Sequence, residues 1–362
     1  MTLTTHLTTS AAPVITSLMP LIKPYTVGNV SASWHTTLPA ELDQEISVTH
    51  LMHTPAWAAA WSTVTTEWVL DSRFLHLRQD GVDRLAAFHL IGASRFWDWL
   101  ESAAGHTSAY PLLFLGSAYA TYGGAGLATP DMIATAVDSG LEAARHWGAG
   151  GLVVPNLTPE LLTAWKQIRP GARRVASSIT YTGAMPTGHL AEALPRRRQR
   201  QAIARQARRA ADAGVSMLHL HGADMLPSLG RFAQLATKTS LRHGTDIWGP
   251  DIFTAAAGVP GAVLIAAGRN GSLVGGFFCF RYAERLYAWV AGLDYAHLHE
   301  LGLYGALVHE SARYAVATGA RVLDMGRANH VYKVSLGLLA TPLTSLVYPM
   351  PPALPRQAGC GI

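Results

Sequence analysis

One order of elements occurs twice in this chain, and that repetition restricts its fold more than any single motif. "FLHLRQDGVDRLAAFHLI" (Phe74–Ile91) and "VLIAAGRNGSLVGGFFCF" (Val263–Phe280) set strand-like runs around Asp80-Gly81 and Asn270-Gly271. Such dipeptides favour the tight turns of β-hairpins, because both central residues take positive φ at low cost. Further along, Asp131–Val154 and Leu303–Met325 each read as a helix closed by glycine (Gly148, Gly319) and followed by a short apolar strand. Hairpin, helix and strand thus recur in the same order with unequal loops. At 362 residues the chain is long enough for two cores. The expected divisions are 1–185, 186–350 and a proline-rich tail at 351–362.

Composition removes several classes of function. With 49% hydrophobic and 14% charged residues the chain is globular. No apolar run approaches the ~18–20 residues of a membrane span, and the N-terminus lacks the basic start and long apolar stretch of a secretory signal. A soluble, cytoplasmic protein is the expectation. Cys279 and Cys360 are too few for a disulfide framework or a cysteine zinc site. His219/His221 and His297/His299 each suggest two imidazoles on one face of a strand, but no third ligand accompanies them, so no metal is expected. The glycines of "YGGAG" (Tyr122–Gly126) and "GAGG" (Gly148–Gly151) lack the strand and helix of a dinucleotide fingerprint and read as loops. No nucleophile elbow is present, and no cofactor is implied.

Charge is concentrated between the halves. "PRRRQRQAIARQARRAADAG" (Pro195–Gly214) reads as a helix with proline before it and glycine after it. Ile203, Ala207, Ala210 and Gly214 form one stripe, while Arg197, Arg198, Arg205, Arg208 and Arg209 gather opposite. A solvated face is one reading of such a run. Seven arginines in fourteen residues, with a single acidic i+4 residue (Asp212 after Arg208), repel one another, which favours an anionic partner.

A second concentration of polar groups is "LDMGRANHVYKVSLG" (residues 323–337), directly after a short apolar strand. Asp324 at the strand end suits an incoming amine or a basic partner, or a turn cap. Lys333, one of only four lysines, offers a compact cation for a carboxylate, a phosphate or developing negative charge. Tyr332 is able to donate to an oxyanion or carry a proton, and Arg327 to bind a carboxylate bidentately. Counting from Gly148 against Gly319, Val153 corresponds to Asp324 in the first half.

Taken in order, the arginine helix, "LGRFAQLATKTSLRHG" (Leu229–Gly244), "GRNGSLVGGFFCFRYAERLYAWVAGLDY" (Gly268–Tyr295), the helix Leu303–Gly319 and the closing "LDMGRANHVYKVSLG" resemble the FemABX-like and CelD-type branch of the GNAT acyltransferase superfamily. The resemblance covers the second half well. It implies an α/β fold of tandem GNAT-like domains, each a mixed twisted sheet flanked by helices. Two central parallel strands, here Leu286–Asp294 and Ala320–Gly326, would splay apart to admit the acyl donor. It also implies an enzyme that moves an aminoacyl group from aminoacyl-tRNA to an amine of a small-molecule or cell-wall precursor. Asp324, Tyr332 and Lys333 would then be catalytic; Arg327, Asn329, Tyr282, Trp289, Asp294 and Tyr295 would bind substrate; and Arg197, Arg198, Arg205, Arg208 and Arg209 would hold tRNA. The alternative donor is a thioester of coenzyme A or of an acyl carrier protein, and a third reading is an RNA-binding module without catalysis. In "HELGLYGAL" (His299–Leu307) Gly302 and Gly305 remain from the superfamily's pyrophosphate loop, but no Arg or Lys accompanies them.

Overall fold

Asp80 and Gly81 take φ of 51° and 78°, and Asn270 and Gly271 take 51° and 76°, so both hairpins turn where the sequence calls for it. The protein, seen here as a computed structural model, is described over residues 25–39, 42, 48–62, 64, 68–116, 119–127, 129–242 and 248–350. The proline-rich tail expected at 351–362 lies outside the described residues. The first half runs β1 (Tyr25–Val27), β2 (Val30–His35), α1 (Pro55–Ser62), β3 (Val69–Gln79), β4 (Val82–Ile91), α2 (Arg95–Ala103), β5 (Leu112–Leu115), α3 (Pro130–His146), β6 (Gly151–Leu157), α4 (Pro159–Ile168) and β7 (Arg173–Ala184). The second runs α5 (Leu190–Ala193), α6 (Arg197–Asp212), β8 (Ser216–Leu220), α7 (Leu226–Leu241), α8 (Pro250–Ala257), β9 (Ala262–Arg269), β10 (Ser272–Tyr282), β11 (Arg285–Leu293), α9 (Leu303–Ala317), β12 (Val322–Asp324), α10 (His330–Leu336) and β13 (Leu339–Pro349).

Local signals set these boundaries. Thr129 caps α3 through its hydroxyl, with proline in the first turn, and Gly148 and Gly319 follow α3 and α9 at φ 64° and 69°. The helix expected over Pro195–Gly214 is α6, with Ile203 and Ala210 buried. One expectation fails: His297 and His299 lie in the turn after β11, not on a strand, because β11 stops at Leu293 and Asp294 folds back to accept from the Ala296 N–H.

All thirteen described strands join one sheet, in the order β1-β2-β3-β4-β5-β6-β13-β7-β12-β11-β10-β9-β8. The repeat is visible in it. Each half contributes an antiparallel run that ends in a parallel pair, β5 with β6 and β11 with β12. The halves then exchange their last strands. β7 of the first half pairs with β12 of the second, β13 of the second pairs with β6 of the first, and β7 and β13 pair with each other from Leu339↔Thr182 to Val347↔Arg173. Hydrophobic residues fill both faces. Under α6 and α9 lie Ile265, Phe277, Leu286 and Leu323, packed with Leu307 of α9; on the opposite face Trp57 and Trp61 of α1 pack with Phe232, Phe253, Phe278 and Phe280, so that core is shared by both halves.

Candidate active site

The parallel strands of the second half pair for only three residues, Arg285↔Val322, Leu286↔Leu323 and Tyr287↔Asp324. β11 continues to Leu293, whereas the chain after β12 swings to β7, with the Met325 N–H donating to Tyr181 O (2.8 Å) and the Tyr181 N–H to Gly326 O (3.2 Å). Gly326, at φ 61°, permits the swing, since a Cβ there would stand 2.9 Å from Ala288 O. The splay expected between Leu286–Asp294 and Ala320–Gly326 is therefore present. In the first half the parallel pair ends at Phe114↔Val153, so Val153 and Asp324 each close the parallel ladder of their own half.

Asp324 is 1% exposed, and four donors converge on it. Tyr122 Oη (2.5 Å) and Arg285 Nη1 (3.3 Å) donate to Oδ2; the Gly326 N–H (2.9 Å) and Thr180 Oγ1 (3.4 Å) donate to Oδ1. A carboxylate has about four acceptor positions, so the protein itself saturates this one. Tyr122 comes from the loop after β5 and Thr180 from β7, which makes the site a product of both halves. The Tyr122 ring stacks on His50 at 4.3 Å and 12°, and His50 Nδ1 lies 3.0 Å from Tyr287 Oη. Burial, with His53 and Arg285 nearby, lowers the His50 pKa to about 3, so the ring is neutral. Burial, reinforced by the Asp324 charge, pushes the Tyr122 phenol up and keeps it a donor. Arg285 is the member that reaches solvent, 22% exposed, with its guanidinium carbon 5.9 Å and 5.6 Å from the centres of the Tyr122 and Tyr287 rings.

The turn after β12 carries the rest of the signature. Ala328 and Asn329 take φ of 63° and 53°, left-handed values uncommon outside glycine. Lys333 holds this turn from below: its Nζ, 3% exposed as a residue, donates to Met325 O and Arg327 O, both at 2.6 Å. Burial pulls its pKa down to about 7, against the opposing pull of Asp324. Arg327 is half-buried and Asn329 exposed. Burial pushes the Tyr304 phenol up to about 12, against the opposing influence of Asn329, and Tyr332 packs edge-on against Tyr304 at 5.1 Å. The Tyr332 hydroxyl is buried without a hydrogen-bond partner among the described residues, close to Gly305 at the start of α9.

That start of α9 is covered. Gly302 adopts φ 63°, and a Cβ on Gly305 would come within 1.7 Å of Gln206 Oε1, so the Gln206 carboxamide of α6 lies against the first turn. On the outer side of α6, Arg197, Arg198, Arg205, Arg208 and Arg209 are all exposed, and none forms a salt bridge among the described residues. The remaining candidates divide between faces. Tyr295 packs with the α9 face and lies under Arg242 at 3.9 Å, while Asp294 faces Arg231 and His297. Tyr282 and Trp289 belong to the opposite face and fasten the halves, Tyr282 Oη donating to Val48 O and Trp289 Nε1 to Tyr119 O, both at 3.0 Å.

Sequence reading missed Tyr122, His50, Arg285, Tyr287 and Thr180. Only "YGGAG" held a signal, since a glycine cluster marks close backbone approach as well as a loop. Gly123 is such a case: a Cβ would sit 1.6 Å from Pro155 O.

Residues 197–334 match the acetyltransferase (GNAT) domain family. No curated protein matches the chain by sequence. Among solved structures, FemX superposes with a TM-score of 0.59 at 13% identity, covering 91% of this chain and 98% of FemX. The C-terminal domain of a protein described as a lysylphosphatidylglycerol synthetase, from Agrobacterium fabrum, gives 0.51 at 10% identity, covering 84% and 89%. At such identities the likeness is one of fold. No described helix is long and apolar enough to cross a membrane. The repeated topology, the splayed parallel pair and the family match over residues 197–334 give this chain a GNAT-like fold, similar to that of FemX.

Proposed function

We propose that the protein is an amide-forming aminoacyltransferase that takes its acyl group from aminoacyl-tRNA in the cytoplasm and delivers it to the amine of a small-molecule or cell-wall precursor. One observation carries the choice of donor: α6 turns Gln206 onto the first turn of α9 and five unpaired arginines outward. A helix N-terminus filled by a neutral side chain is a poor seat for a pyrophosphate, whereas an exposed arginine row suits a phosphate backbone. The likeness to a protein named for an aminoacylated lipid agrees with this reading.

In the reaction the amine nitrogen attacks the ester carbonyl, the new C–N bond forms, the C–O bond to the terminal ribose breaks, and the amine proton leaves with the ribose oxygen. An aminoacyl ester is already activated, so positioning and charge stabilisation suffice. Tyr332, with its free hydroxyl beside α9, is suited to the oxyanion or the proton. Lys333 keeps the 325–327 turn in place, and Asp324 fixes Arg285 at the splay. Arg327, Asn329, Asp294 and Tyr295 border the substrate, and Tyr282 and Trp289 form the wall on the other face.

The acetyltransferase domain match favours a second reading, an acyl thioester donor on coenzyme A or a carrier protein. Supplying labelled aminoacyl-tRNA or acyl-coenzyme A as sole donor, with a pool of amines and an RNase control, separates the two. Transfer abolished by RNase supports the first; transfer that survives RNase and requires the thioester replaces it with the second.

A further inference from the structure

We infer that the first half of the chain completes the active site of the second, with Tyr122 as the residue that positions Asp324 and, through it, Arg285. This rests on the acyltransferase reading above and adds to it a part for a half whose own cleft has a different content. At the corresponding end of the first-half parallel ladder stands Val153, which is buried and apolar. Nearby, Met52, Thr54, Trp57 and Ala58 close in on the cavity beside β4, leaving about 20 Å³, room for roughly one water molecule. What the first half retains is a loop built to reach across.

That loop, residues 119–126, is fixed at several points. Asn156, at φ 56°, donates from Nδ2 to Ala120 O (2.8 Å), and its own carbonyl accepts from the Gly123 N–H (3.0 Å). Gly123 lies so close to Pro155 O that no side chain fits. The Thr121 N–H meets Met52 Sδ at 3.2 Å. A segment held this tightly projects Tyr122 to the Oδ2 atom that Arg285 shares, with His50 stacked on the ring and Thr180 3.2 Å from the hydroxyl. Asp324 is thereby held from the first half, and its salt bridge to the partly exposed Arg285 keeps that guanidinium at the mouth of the splay. A hydroxyl that served only to fill space would not be aimed at the one acidic side chain at a ladder end.

Tyr122→Phe removes the hydroxyl and leaves the ring stack. With whichever donor the RNase experiment identifies, and hydroxylamine as a surrogate amine, turnover is expected to fall roughly 10- to 100-fold, the scale of a small misplacement of a reacting group. KM for the donor should change less than about two-fold, since the donor is held elsewhere. The double variant Tyr122→Phe/Asp324→Asn should be no slower than Asp324→Asn alone, because both changes break one unit. Thermal unfolding of each variant, followed in parallel, separates loss of fold from loss of turnover. Wild-type turnover in Tyr122→Phe beside an impaired Asp324→Asn would overturn this inference and leave the acyltransferase site standing, as would multiplicative losses in the double variant. Wild-type turnover in both single variants would remove the site itself.

Discussion

Lys333 sits in surroundings far from those of an ordinary, solvated lysine. Its folded pKa, near 7, lies below its value in an unfolded chain, so the native state binds fewer protons than the unfolded one between the two. Stability contributed by this group therefore rises as pH climbs through 7 and is lost as pH falls. Compared with Lys333→Met, the wild-type protein should gain in melting temperature between about pH 6 and about pH 9; parallel curves for the two proteins would show that the amine is not buried as described. Gly123 gives a steric counterpart. A methyl group 1.6 Å from Pro155 O cannot be accommodated without moving backbone, so Gly123→Ala should cost at least about 2 kcal/mol in urea denaturation. A cost within experimental error would mean that the loop yields freely.

Helix α6 combines two surfaces in one element. Its inner face, with Ile203 and Ala210, packs under α9, and its outer face is cationic. If the outer face holds tRNA phosphates, replacing Arg198, Arg205 and Arg209 by Gln should weaken all tRNAs alike and reduce the slope of log affinity against log salt by up to roughly three. Binding measured across a salt series checks this, and an unchanged slope would take tRNA off the helix. Between the two faces Gln206 covers the N-terminal turn of α9. Gln206→Ala exposes that turn's N–H groups and should strengthen coenzyme A binding by up to about ten-fold in calorimetry; equal binding by both proteins would show that this side chain does not control access.

Strand exchange ties the whole molecule together. Residues 1–185 alone would leave β6 without β13 and β7 without either neighbour, and residues 186–350 alone would leave β12 and β13 open. Exposed ladder edges of this length are costly and invite aggregation. Each half expressed alone should fail to give a folded circular-dichroism spectrum and cooperative melting, while co-expression restores both; two independently folded halves would contradict the exchange. His53 and His89 are buried and His50 largely so, with pKa lowered by burial to about 4, 4 and 3. These rings stay neutral when folded and take up protons on unfolding, so stability falls as pH drops from about 6.5 toward 4.

Short-range chemistry made several parts legible in the residues alone: both Asx-Gly hairpins, the glycine-closed helices α3 and α9, and the stripe and the cationic face of α6; the splay of the central strands was implied only by the family resemblance. Each of those parts depends on residues a few positions apart, where periodicity and turn preference act directly. The sequence also singled out Asp324 and Lys333 from their unusual company, although not that both are buried and bonded within the protein. Tertiary structure alone decided that β7 and β13 change halves, that Gln206 covers α9, and that Tyr122 meets Asp324 across 202 positions of chain. Nothing local encodes such meetings. They follow from which apolar faces bury together and which ladder edges must find partners, and those requirements are met only when the whole sheet closes up.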